Sequence, residues 1–400
     1  MVADLKYKKA LVRVDFNVPI NADGEITDDS RIRMALSTIR YLLDEGAAVI
    51  LMSHLGRPLK KTRPDGSIDR TKFTLEPVAK HLGLLLNTTV QFVPECIGDE
   101  VRSRIDALKP GDILLLENTR FHKEEKEGNE AFAKQLAALG DVYINDAFGA
   151  AHREHASTAT VARFFDKDHK SFGFLMEKEL KNAHQLIDDP RQPFIAIIGG
   201  AKVSDKIGLL ESMTDMASDI LVGGAMAYTF LKALGGKVGN SLVEDDKIPM
   251  ALDLLKNAKA KGVRIHLPQD SIIAKEMKDD AVTEIADSTE IRDGWMGLDI
   301  GPGAVEEFTK VLNTASTILW NGPMGVFEMA PFSMGTMSIA RAVANATSRG
   351  AYSLVGGGDS VAAINKTGLE DKISFISTGG GAMLELLEGK KLPGIAAILE

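Results

Sequence analysis

Short apolar runs alternate with amphipathic stretches of helical length along the whole chain. In the first half the runs are ALVRVDFNV, AAVILMSH, VQFVPE, DILLLENTR and VYINDAFG. In the second half they are PFIAIIGG, DILVGGAM, VRIHLP, STILWNGPMG, YSLVGGGDS and FISTGGG. Strands that alternate with helices predict βα units, whose strands run parallel. The pattern therefore predicts an α/β protein with doubly wound, Rossmann-like parallel sheets.

The same pattern divides the chain into two domains. Four hundred residues exceed what one hydrophobic core usually serves. Between the two sets of strands, GFLMEKELKNAHQLIDDPRQP has a helical pattern that ends at Asp-Asp-Pro, which predicts a connecting helix. We expect an N-terminal domain over 1–172, a connecting helix over 173–189, a C-terminal domain over 190–380 and a tail over 381–400.

The strand ends differ between the halves. Those of the first half finish in polar or charged side chains, namely Asp15, Asn17, His54, Arg57, Arg120 and Asp146. Those of the second half finish in glycines, at 199–200, 223–224, 356–358 and 379–381. Because ligands bind beyond the carboxyl ends of the strands in open α/β sheets, two different ligands are expected. One site is built from basic side chains and the other from backbone.

Charge and cysteine content restrict the partners. A net charge of −9 argues against nucleic acid and against an acidic membrane surface, and no apolar run reaches membrane-spanning length. The single cysteine, Cys96, has no partner for an internal disulfide. We expect it to be a small, buried apolar residue of the core. The N-terminal stretch has lysines but no apolar segment typical of a secretion signal, so we expect a cytoplasmic protein.

Basic residues concentrate in the first half, where twelve of the seventeen arginines precede residue 170. The segment AHREHAS adds His152 and Arg153 to the basic residues at strand and loop ends. A solvated basic surface is the alternative interpretation. Together with His54, Arg57 and Arg120, these two residues make five basic side chains at such places. This number favours an anion site, since arginine binds carboxylate and phosphate groups in a bidentate manner.

Two segments of the second half combine glycines with charged residues. GGAKVSDK places Lys202 and Lys206 four residues apart, which predicts that they share one helix face. In VGGGDS, Asp359 and Ser360 open a helix, where they either cap it or leave its N–H groups to a phosphate and the carboxylate to a metal ion. WNGPMGVFE ends a strand in a turn-forming Asn-Gly-Pro, and its Glu328 is a candidate ligand of a ribose hydroxyl.

The sequence contains no recognisable nucleophile–histidine pair and no cluster of His and Cys with metal-ligand spacing. Phosphoryl transfer needs neither, because positioning and charge neutralisation carry most of its catalysis. A carboxylate acceptor is already ionised at pH 7 and needs no general base.

Eight motifs in a fixed order resemble the phosphoglycerate kinase family: RVDFNVP, SHLGRP, LLENTRF, NDAFGAAHREHAS, GGAKVSDK, GGAMAYTFL, WNGPMGVFE and GGGDS. The resemblance implies reversible phosphoryl transfer from 1,3-bisphosphoglycerate to MgADP, giving 3-phosphoglycerate and ATP in glycolysis. It further implies domain closure, direct in-line transfer, a monomer, and a tail that packs back on the N-terminal domain.

The resemblance also assigns residues by position. The phosphoglycerate site would comprise Asp15, Asn17, Arg31, His54, Leu55, Gly56, Arg57, Arg120 and Arg153. The nucleotide site would comprise Lys202, Lys206, Gly223, Gly224, Asn321, Glu328, Gly357, Gly358, Asp359 and Ser360, with Asp359 near the magnesium ion. Catalytic roles would fall to Arg31, Lys202, Gly358 and Gly381. Arg31, in the first turn of a helix that Ser30 is expected to cap, and Lys202 would neutralise the phosphoryl group in flight.

The chain departs from the family pattern at two places. Ser360 stands where threonine is usual, which keeps the hydroxyl, and the 60–70 loop is longer than expected. Two other classes of protein share parts of the pattern. An NAD-dependent dehydrogenase should carry a spaced Gly-x-Gly-x-x-Gly, to which GPGAVEE comes nearest without the third glycine. A non-enzymatic two-domain anion-binding protein would usually carry an export signal.

Overall fold

The computed structural model describes Val2 and residues 4–21 and 23–400. The chain forms two compact units, which we call unit 1 (Met1–Lys181 with Lys391–Glu400) and unit 2 (Asn182–Lys390). Each unit contains a six-stranded sheet whose strands all run parallel. The predicted α/β fold with two doubly wound parallel sheets is therefore confirmed.

The sheet of unit 1 has the order β3-β4-β2-β1-β5-β6. Its strands are β1 (Lys9–Val14), β2 (Ala48–Met52), β3 (Val90–Val93), β4 (Ile113–Leu116), β5 (Val142–Asp146) and β6 (Lys170–Phe172). The register sets Val12 beside Leu51 on one side and Ile144 on the other. The carboxyl ends of β1, β2, β4 and β5 consequently meet at one edge of the sheet.

Helices cover both faces of this sheet. The helices of this part of the chain are α1 (Ser30–Asp44), α2 (Arg70–Phe73), α3 (Glu76–Leu86), α4 (Asp99–Asp106), α5 (Lys123–Lys126), α6 (Glu130–Ala137) and α7 (Phe174–Ile187). Alternate residues of β1 serve different cores, since Val12 packs with α1 and α3 while Leu11 packs with α4 and α6. Cys96 is fully buried in the second of these cores, as expected of an apolar filler.

The main sheet of unit 2 has the order β10-β8-β7-β15-β16-β17. The strands of unit 2 are β7 (Phe194–Ile198), β8 (Asp219–Val222), β9 (Lys237–Val238), β10 (Arg264–His266), β11 (Asp270–Ala274), β12 (Thr283–Asp287), β13 (Glu290–Ile291), β14 (Met296–Ile300), β15 (Thr317–Asn321), β16 (Tyr352–Gly356) and β17 (Phe375–Ile376). Its helices are α8 (Ile207–Met216), α9 (Met226–Ala233), α10 (Ile248–Ala260), α11 (Pro302–Leu312), α12 (Met334–Ser348), α13 (Gly358–Thr367) and α14 (Gly381–Leu387).

Unit 2 also contains a three-stranded antiparallel sheet, in the order β12-β11-β14, and a short β9–β13 pair. The sequence pattern did not predict these strands. The residues of β12, TEIAD, are mostly exposed, so the strand carries no buried apolar run that the pattern would reveal. Its pairing with β11 alone keeps it in the sheet.

Helix α7 begins in unit 1 and ends in unit 2, just before the Asp-Asp-Pro segment. The Asp146 carboxylate accepts hydrogen bonds from the backbone N–H groups of Leu175 and Met176, at 2.9 and 3.2 Å, and so anchors its first turn. The C-terminal helix α15 (Pro393–Leu399) packs within unit 1, where the Gly394 N–H donates to the Ala151 carbonyl.

Residues 381–390 group with unit 2 instead, so the segment that joins unit 1 begins at Lys391. Among the described residues, no helix combines the length and the apolar character needed to cross a membrane.

Candidate functional sites in the two units

A basic cavity of about 240 Å³ lies in unit 1 beyond the carboxyl ends of the strands. Arg57, Arg120 and Arg153 line it, as the sequence analysis predicts for an anion site. Lys60, Lys126 and His155 line it as well, together with Pro58 and Leu59. No acidic side chain is among these lining residues, so the cavity concentrates positive charge on whatever it holds.

Arg120 is held rigidly in this cavity. Its Nη1 donates to the Gly56 carbonyl at 2.7 Å, and its backbone N–H donates to the Asn118 carboxamide at 3.0 Å. The side chain is almost fully buried, and its Nε has no hydrogen-bond partner among the described residues. Burial, with Arg153 and Arg13 nearby, lowers the pKa of Arg120 to about 10, which still leaves it charged at pH 7. A buried cation at a cavity wall is suited to an anionic ligand.

The loop after β2 closes one side of the site. The Gly56 N–H donates to Asn17 Oδ1 at 2.8 Å, while the Leu55 N–H and carbonyl both bond to the Asn118 carboxamide. Gly56 has φ +61°, and a Cβ there would lie 2.6 Å from the Phe73 ring, so both backbone and space require glycine. Leu55 is therefore fixed by its backbone, and its side chain is buried.

Asp15 and Arg31 form an ion pair at the end of β1, with 2.5 Å between Asp15 Oδ2 and Arg31 Nη1. Arg31 lies in the first turn of α1, as predicted, and its side chain is 40% exposed. The prediction that Ser30 caps this helix is wrong: Ser30 is its first residue and donates its hydroxyl to Asp28. The paired Arg31 side chain remains partly exposed to solvent at the edge of the site.

Both buried histidines of this region are neutral. The pKa of His54 lies well below its ordinary value. Burial is the largest cause, and the positive charges of Arg13, Arg120 and Arg153 add to it. The same causes lower the pKa of His155 to about 3. Positive charge in the site at pH 7 is therefore carried by arginine and lysine side chains.

Sequence reasoning missed four residues of this region. Lys60, Lys126 and His155 line the cavity, and Arg13 donates from Nη2 to His54 Nδ1 at 3.0 Å. His155 stands two residues after Arg153 in the motif already singled out, which was a usable indication. Arg13 is a charged residue inside an apolar strand run, and that anomaly could have found it.

In unit 2 the glycines after the strands pack backbone against backbone. A Cβ on Gly223 would lie 2.4 Å from the Met324 sulfur, and one on Gly224 would lie 2.5 Å from the Gly200 carbonyl. The Gly224 N–H donates to the Met324 carbonyl at 2.9 Å. Close packing of these loops thus explains both glycines without a ligand, although they also lie at the carboxyl edge of the sheet.

Lys206 and Asn321 form the polar centre of the site in unit 2. Lys206 Nζ donates to Asn321 Oδ1, and Asn321 Nδ2 donates to the Gly356 carbonyl at 3.0 Å, which ties β15 to β16. Burial lowers the pKa of Lys206, an effect that the carboxylate of Asp359 opposes. The prediction that Lys202 and Lys206 share a helix face is wrong, because α8 begins only at Ile207. Lys202 is exposed in the preceding loop.

Helix α13 begins directly after the triple glycine, with Gly357 as the residue before its first turn. Gly357 has φ +93°, a conformation that other residues rarely adopt. Neither Asp359 nor Ser360 caps the helix with its side chain. The Ser360 hydroxyl instead accepts a hydrogen bond from the Gly322 N–H at 2.5 Å. Of the two interpretations left open by the sequence, capping is wrong, and the N-terminal N–H groups of α13 remain available.

The remaining predicted residues occupy exposed positions. Gly358 is the first residue of α13 and Gly381 the first of α14, and both are exposed. A Cβ on Gly358 would meet no atom within 4 Å. Glu328 is exposed in the loop after β15, and its carbonyl lies 3.4 Å from the ammonium group of Lys366, near the end of α13.

Asp359 is exposed in the first turn of α13, and its charge acts on Lys206. Among the described residues, the one group of three potential metal ligands is Glu95, Cys96 and His122 in unit 1. Their groups already bond within the protein: His122 Nε2 lies 2.6 Å from Glu95 Oε1, and the Cys96 thiol donates to the Glu117 carbonyl. Asp359 thus fits a magnesium ion held by one carboxylate, phosphate oxygens and water, which is how Mg²⁺ usually binds with nucleotides.

Comparison with known proteins places these features in one family. A model of the family "Phosphoglycerate kinase" matches residues 2–390. The phosphoglycerate kinase of Chlorobaculum tepidum is 51% identical over 394 residues, covering 98% of this chain and 97% of that protein. The "Phosphoglycerate kinase, cytosolic" of Triticum aestivum is 51% identical over 398 residues, covering 100% and 97%.

A solved structure agrees with these matches. That of phosphoglycerate kinase from Coxiella burnetii has a TM-score of 0.88 at 40% identity and covers 99% of this chain and 97% of its own. All three identities lie far above the level at which only a fold is shared, and the matches extend over both units. The chain belongs to the phosphoglycerate kinase family.

Proposed function

We propose that the two units divide the substrates of the family's reaction. As a phosphoglycerate kinase, the chain transfers a phosphoryl group between 1,3-bisphosphoglycerate and ADP, a step of glycolysis. In the proposal, the basic cavity of unit 1 holds phosphoglycerate and the carboxyl edge of the main sheet of unit 2 holds the nucleotide. The observation that carries it is the contrast between an arginine-lined cavity and a glycine-opened helix N-terminus.

For phosphoglycerate, we assign the phosphate to the cavity lined by Arg57, Arg120 and Arg153. Arg120 supplies a buried positive charge at the cavity wall, and Arg57 is exposed. Two guanidinium groups can each give parallel hydrogen bonds to one phosphate, which fixes its orientation as well as its charge. The assigned site also includes His54, Leu55, Gly56, Asp15 and Asn17.

For the nucleotide, we assign the phosphates to the N-terminus of α13 and to Lys206. The first N–H groups of a helix lack partners within it, and its dipole favours an anion there. The same assignment includes Lys202, Gly223, Gly224, Gly357, Ser360, Asn321 and Glu328. Glu328 is assigned to the ribose. Gly381, the first residue of α14, is assigned to the transferred group.

Magnesium enters the proposal with the nucleotide. When bound, Mg²⁺ neutralises phosphate oxygens, and Asp359 is the carboxylate of this chain assigned to it. The protein's own residues then have two tasks, and proton abstraction is not among them. Arg31 and Lys202 meet the charge on the phosphoryl group, the arginines of unit 1 fix the acceptor, and the acceptor carboxylate needs no base because it is ionised at pH 7. Domain closure, in-line transfer and the domain boundaries given above remain predictions.

The division of substrates is tested in the full-length protein. ATP formation from ADP and 1,3-bisphosphoglycerate is followed in a coupled assay, and the reverse direction gives KM for 3-phosphoglycerate. Arg57→Ala should raise that KM about tenfold or more, the effect of one charge-assisted contact, and leave KM for ATP unchanged. Arg63→Ala is the matched control, because Arg63 is exposed in the same unit and pairs with Asp69 outside the cavity. A changed KM for ATP in Arg57→Ala would refute the division.

We further propose that the protein is a cytoplasmic monomer that binds neither nucleic acid nor membranes. The net charge of −9 and the cytosolic designation of the Triticum aestivum relative support this proposal. Sedimentation equilibrium at micromolar protein should give a mass near 43.1 kDa. Twice that mass would refute the monomer.

A further inference from the structure

Arg13 is a fully buried arginine beneath the basic cavity of unit 1. It belongs to β1, between Val12 and Val14, and its guanidinium is engaged on three sides. Nε donates to Ser157 Oγ at 2.8 Å, Nη1 donates to the Val14 carbonyl, and Nη2 lies 3.0 Å from His54 Nδ1. The substrate assignments above give this residue no task.

The contact with His54 determines where the imidazole carries its proton. A guanidinium has N–H donors only and does not lose its proton in proteins, so Nδ1 of His54 must accept. A neutral imidazole has one N–H, which must then lie on Nε2. His54 is neutral because it is buried and faces the charges of Arg13, Arg120 and Arg153, which together lower its pKa.

The other ring nitrogen is left for a ligand. Nε2 of His54 has no hydrogen-bond partner among the described residues, and this atom is not sealed from solvent. An N–H donor with access to solvent and no protein acceptor can meet a phosphate or carboxylate oxygen. In the opposite tautomer the Nε2 lone pair would face the same oxygen and repel it.

The guanidinium is itself fixed by a buried counter-charge. Ser157 Oγ, which accepts from Arg13 Nε, donates to Glu125 Oε1 at 2.6 Å, and the Ser157 N–H donates to Oε2 at 2.9 Å. Thr119 donates its hydroxyl to the same Oε1 at 3.3 Å. Glu125 is fully buried. It therefore balances the charge of Arg13 through the Ser157 hydroxyl, and these hydrogen bonds hold the guanidinium in one orientation.

We propose that Arg13 is a positioning residue that holds His54 as the Nε2–H tautomer, so that His54 presents one N–H donor to an anionic oxygen of phosphoglycerate. Arg13 acts through His54 and does not touch the substrate. The inference rests on the proposed assignment of His54 to phosphoglycerate. The order of contacts is Glu125, Ser157, Arg13, His54 and then substrate.

The tautomer is measured directly in the full-length wild-type protein. Long-range ¹H–¹⁵N correlation spectra of protein labelled in its eight histidines distinguish the two neutral tautomers. His54→Gln identifies the signal by its loss. We expect a neutral ring with Nε2 protonated, unchanged from pH 6 to pH 8. A protonated Nδ1, or a ring that takes up a second proton in this range, would overturn the proposal.

Kinetics test whether the tautomer matters for binding. Replacing Arg13 alone would strand a buried carboxylate, so the informative variant is Arg13→Met with Glu125→Gln, compared with Glu125→Gln alone. The double variant should raise KM for 3-phosphoglycerate about tenfold or more over its control, with KM for ATP unchanged. Far-UV circular dichroism and thermal melting establish that both variants fold. Equal KM values in the two variants would overturn the proposal.

A double-mutant cycle separates positioning from a merely structural role. With His54→Gln, whose amide donates without a tautomer, the Arg13 replacement should add little to KM for 3-phosphoglycerate. A purely structural arginine would give the same loss with either residue at position 54. If His54→Ala leaves this KM unchanged, the proposed substrate assignment is wrong, whatever the tautomer. If His54→Ala raises it while the spectra show Nδ1–H, the assignment survives and the role of Arg13 is refuted.

Discussion

Gly358 offers a sharp test of the nucleotide site, because the free protein gives it no reason to be glycine. It is the first residue of α13, its φ is ordinary, and a Cβ there would meet no atom within 4 Å. A helical Cα–Cβ bond tilts toward the helix N-terminus. The methyl group of Gly358→Ala would therefore project over the N–H groups assigned to the nucleotide phosphates, and only a ligand would meet it.

Gly358→Ala should have opposite effects on folding stability and on nucleotide binding. Alanine is favoured over glycine in a helix by up to about 1 kcal/mol, and less at the first position, so Gly358→Ala should stabilise the protein by about 0.5 kcal/mol. Nucleotide binding should weaken, because losing one charge-assisted contact costs about 1.5–3 kcal/mol, or tenfold or more in affinity. KM for 3-phosphoglycerate, a ligand assigned to unit 1, should not change.

Urea unfolding and the coupled assay measure the two effects on one preparation. Asn365→Ala is the matched control: it is exposed near the other end of α13, and its gain in helix propensity is similar, but it lies away from the proposed phosphates. It should gain stability and keep its KM for ATP. If Gly358→Ala also keeps this KM within about twofold, the phosphates do not approach the backbone at this point and the assignment is wrong.

Three further results are expected. Asp359→Asn should reduce turnover chiefly by weakening its dependence on Mg²⁺, while KM for 3-phosphoglycerate stays constant; an unchanged Mg²⁺ titration would refute the metal assignment. Arg31→Ala should lower kcat by about 10³-fold with little change in KM, whereas Arg33→Ala, which loses only its surface pair with Asp29, should be mild; a raised KM with intact kcat would make Arg31 a binding residue. Burial raises the pKa of Asp299 to about 7. The native state therefore binds the extra proton between about pH 4 and pH 7, so the free energy of unfolding should fall as pH rises through this window, by on the order of 4 kcal/mol. In Asp299→Asn, the free energy of unfolding measured with urea should fall less steeply with pH than in the wild type. The same pH dependence in both proteins would contradict this.

The sequence by itself determined the architecture. Strands of the parallel sheets are buried on both faces, so they appear as continuous apolar runs, and every predicted run became a strand of one of the two main sheets. It also predicted which side chains would lie together beyond the carboxyl ends of the strands, where ligands bind in such sheets. Arg57, Arg120 and Arg153 line one cavity although they come from three separate segments of the chain.

Local features whose outcome depends on a distant partner were not determined. Lys202 and Lys206 have helical spacing, but the lysine at 206 bonds to Asn321 and the helix starts one residue later. Ser360 has the character of a capping residue, but its hydroxyl is taken by Gly322, 38 positions away. The antiparallel strand β12 is polar and exposed, so only its pairing with β11 reveals it.

The tautomer of His54 illustrates the same limit within the site. The sequence shows a histidine on a loop and an arginine in a strand, 41 positions apart, with nothing that relates them. Adjacent parallel strands bring the two together, and burial then removes the water that would otherwise satisfy either group. Periodicity records which residues are buried, because burial repeats with the backbone. Which polar groups meet is fixed only when the strands pair, since a hydrogen bond depends on a few ångströms that no local pattern encodes.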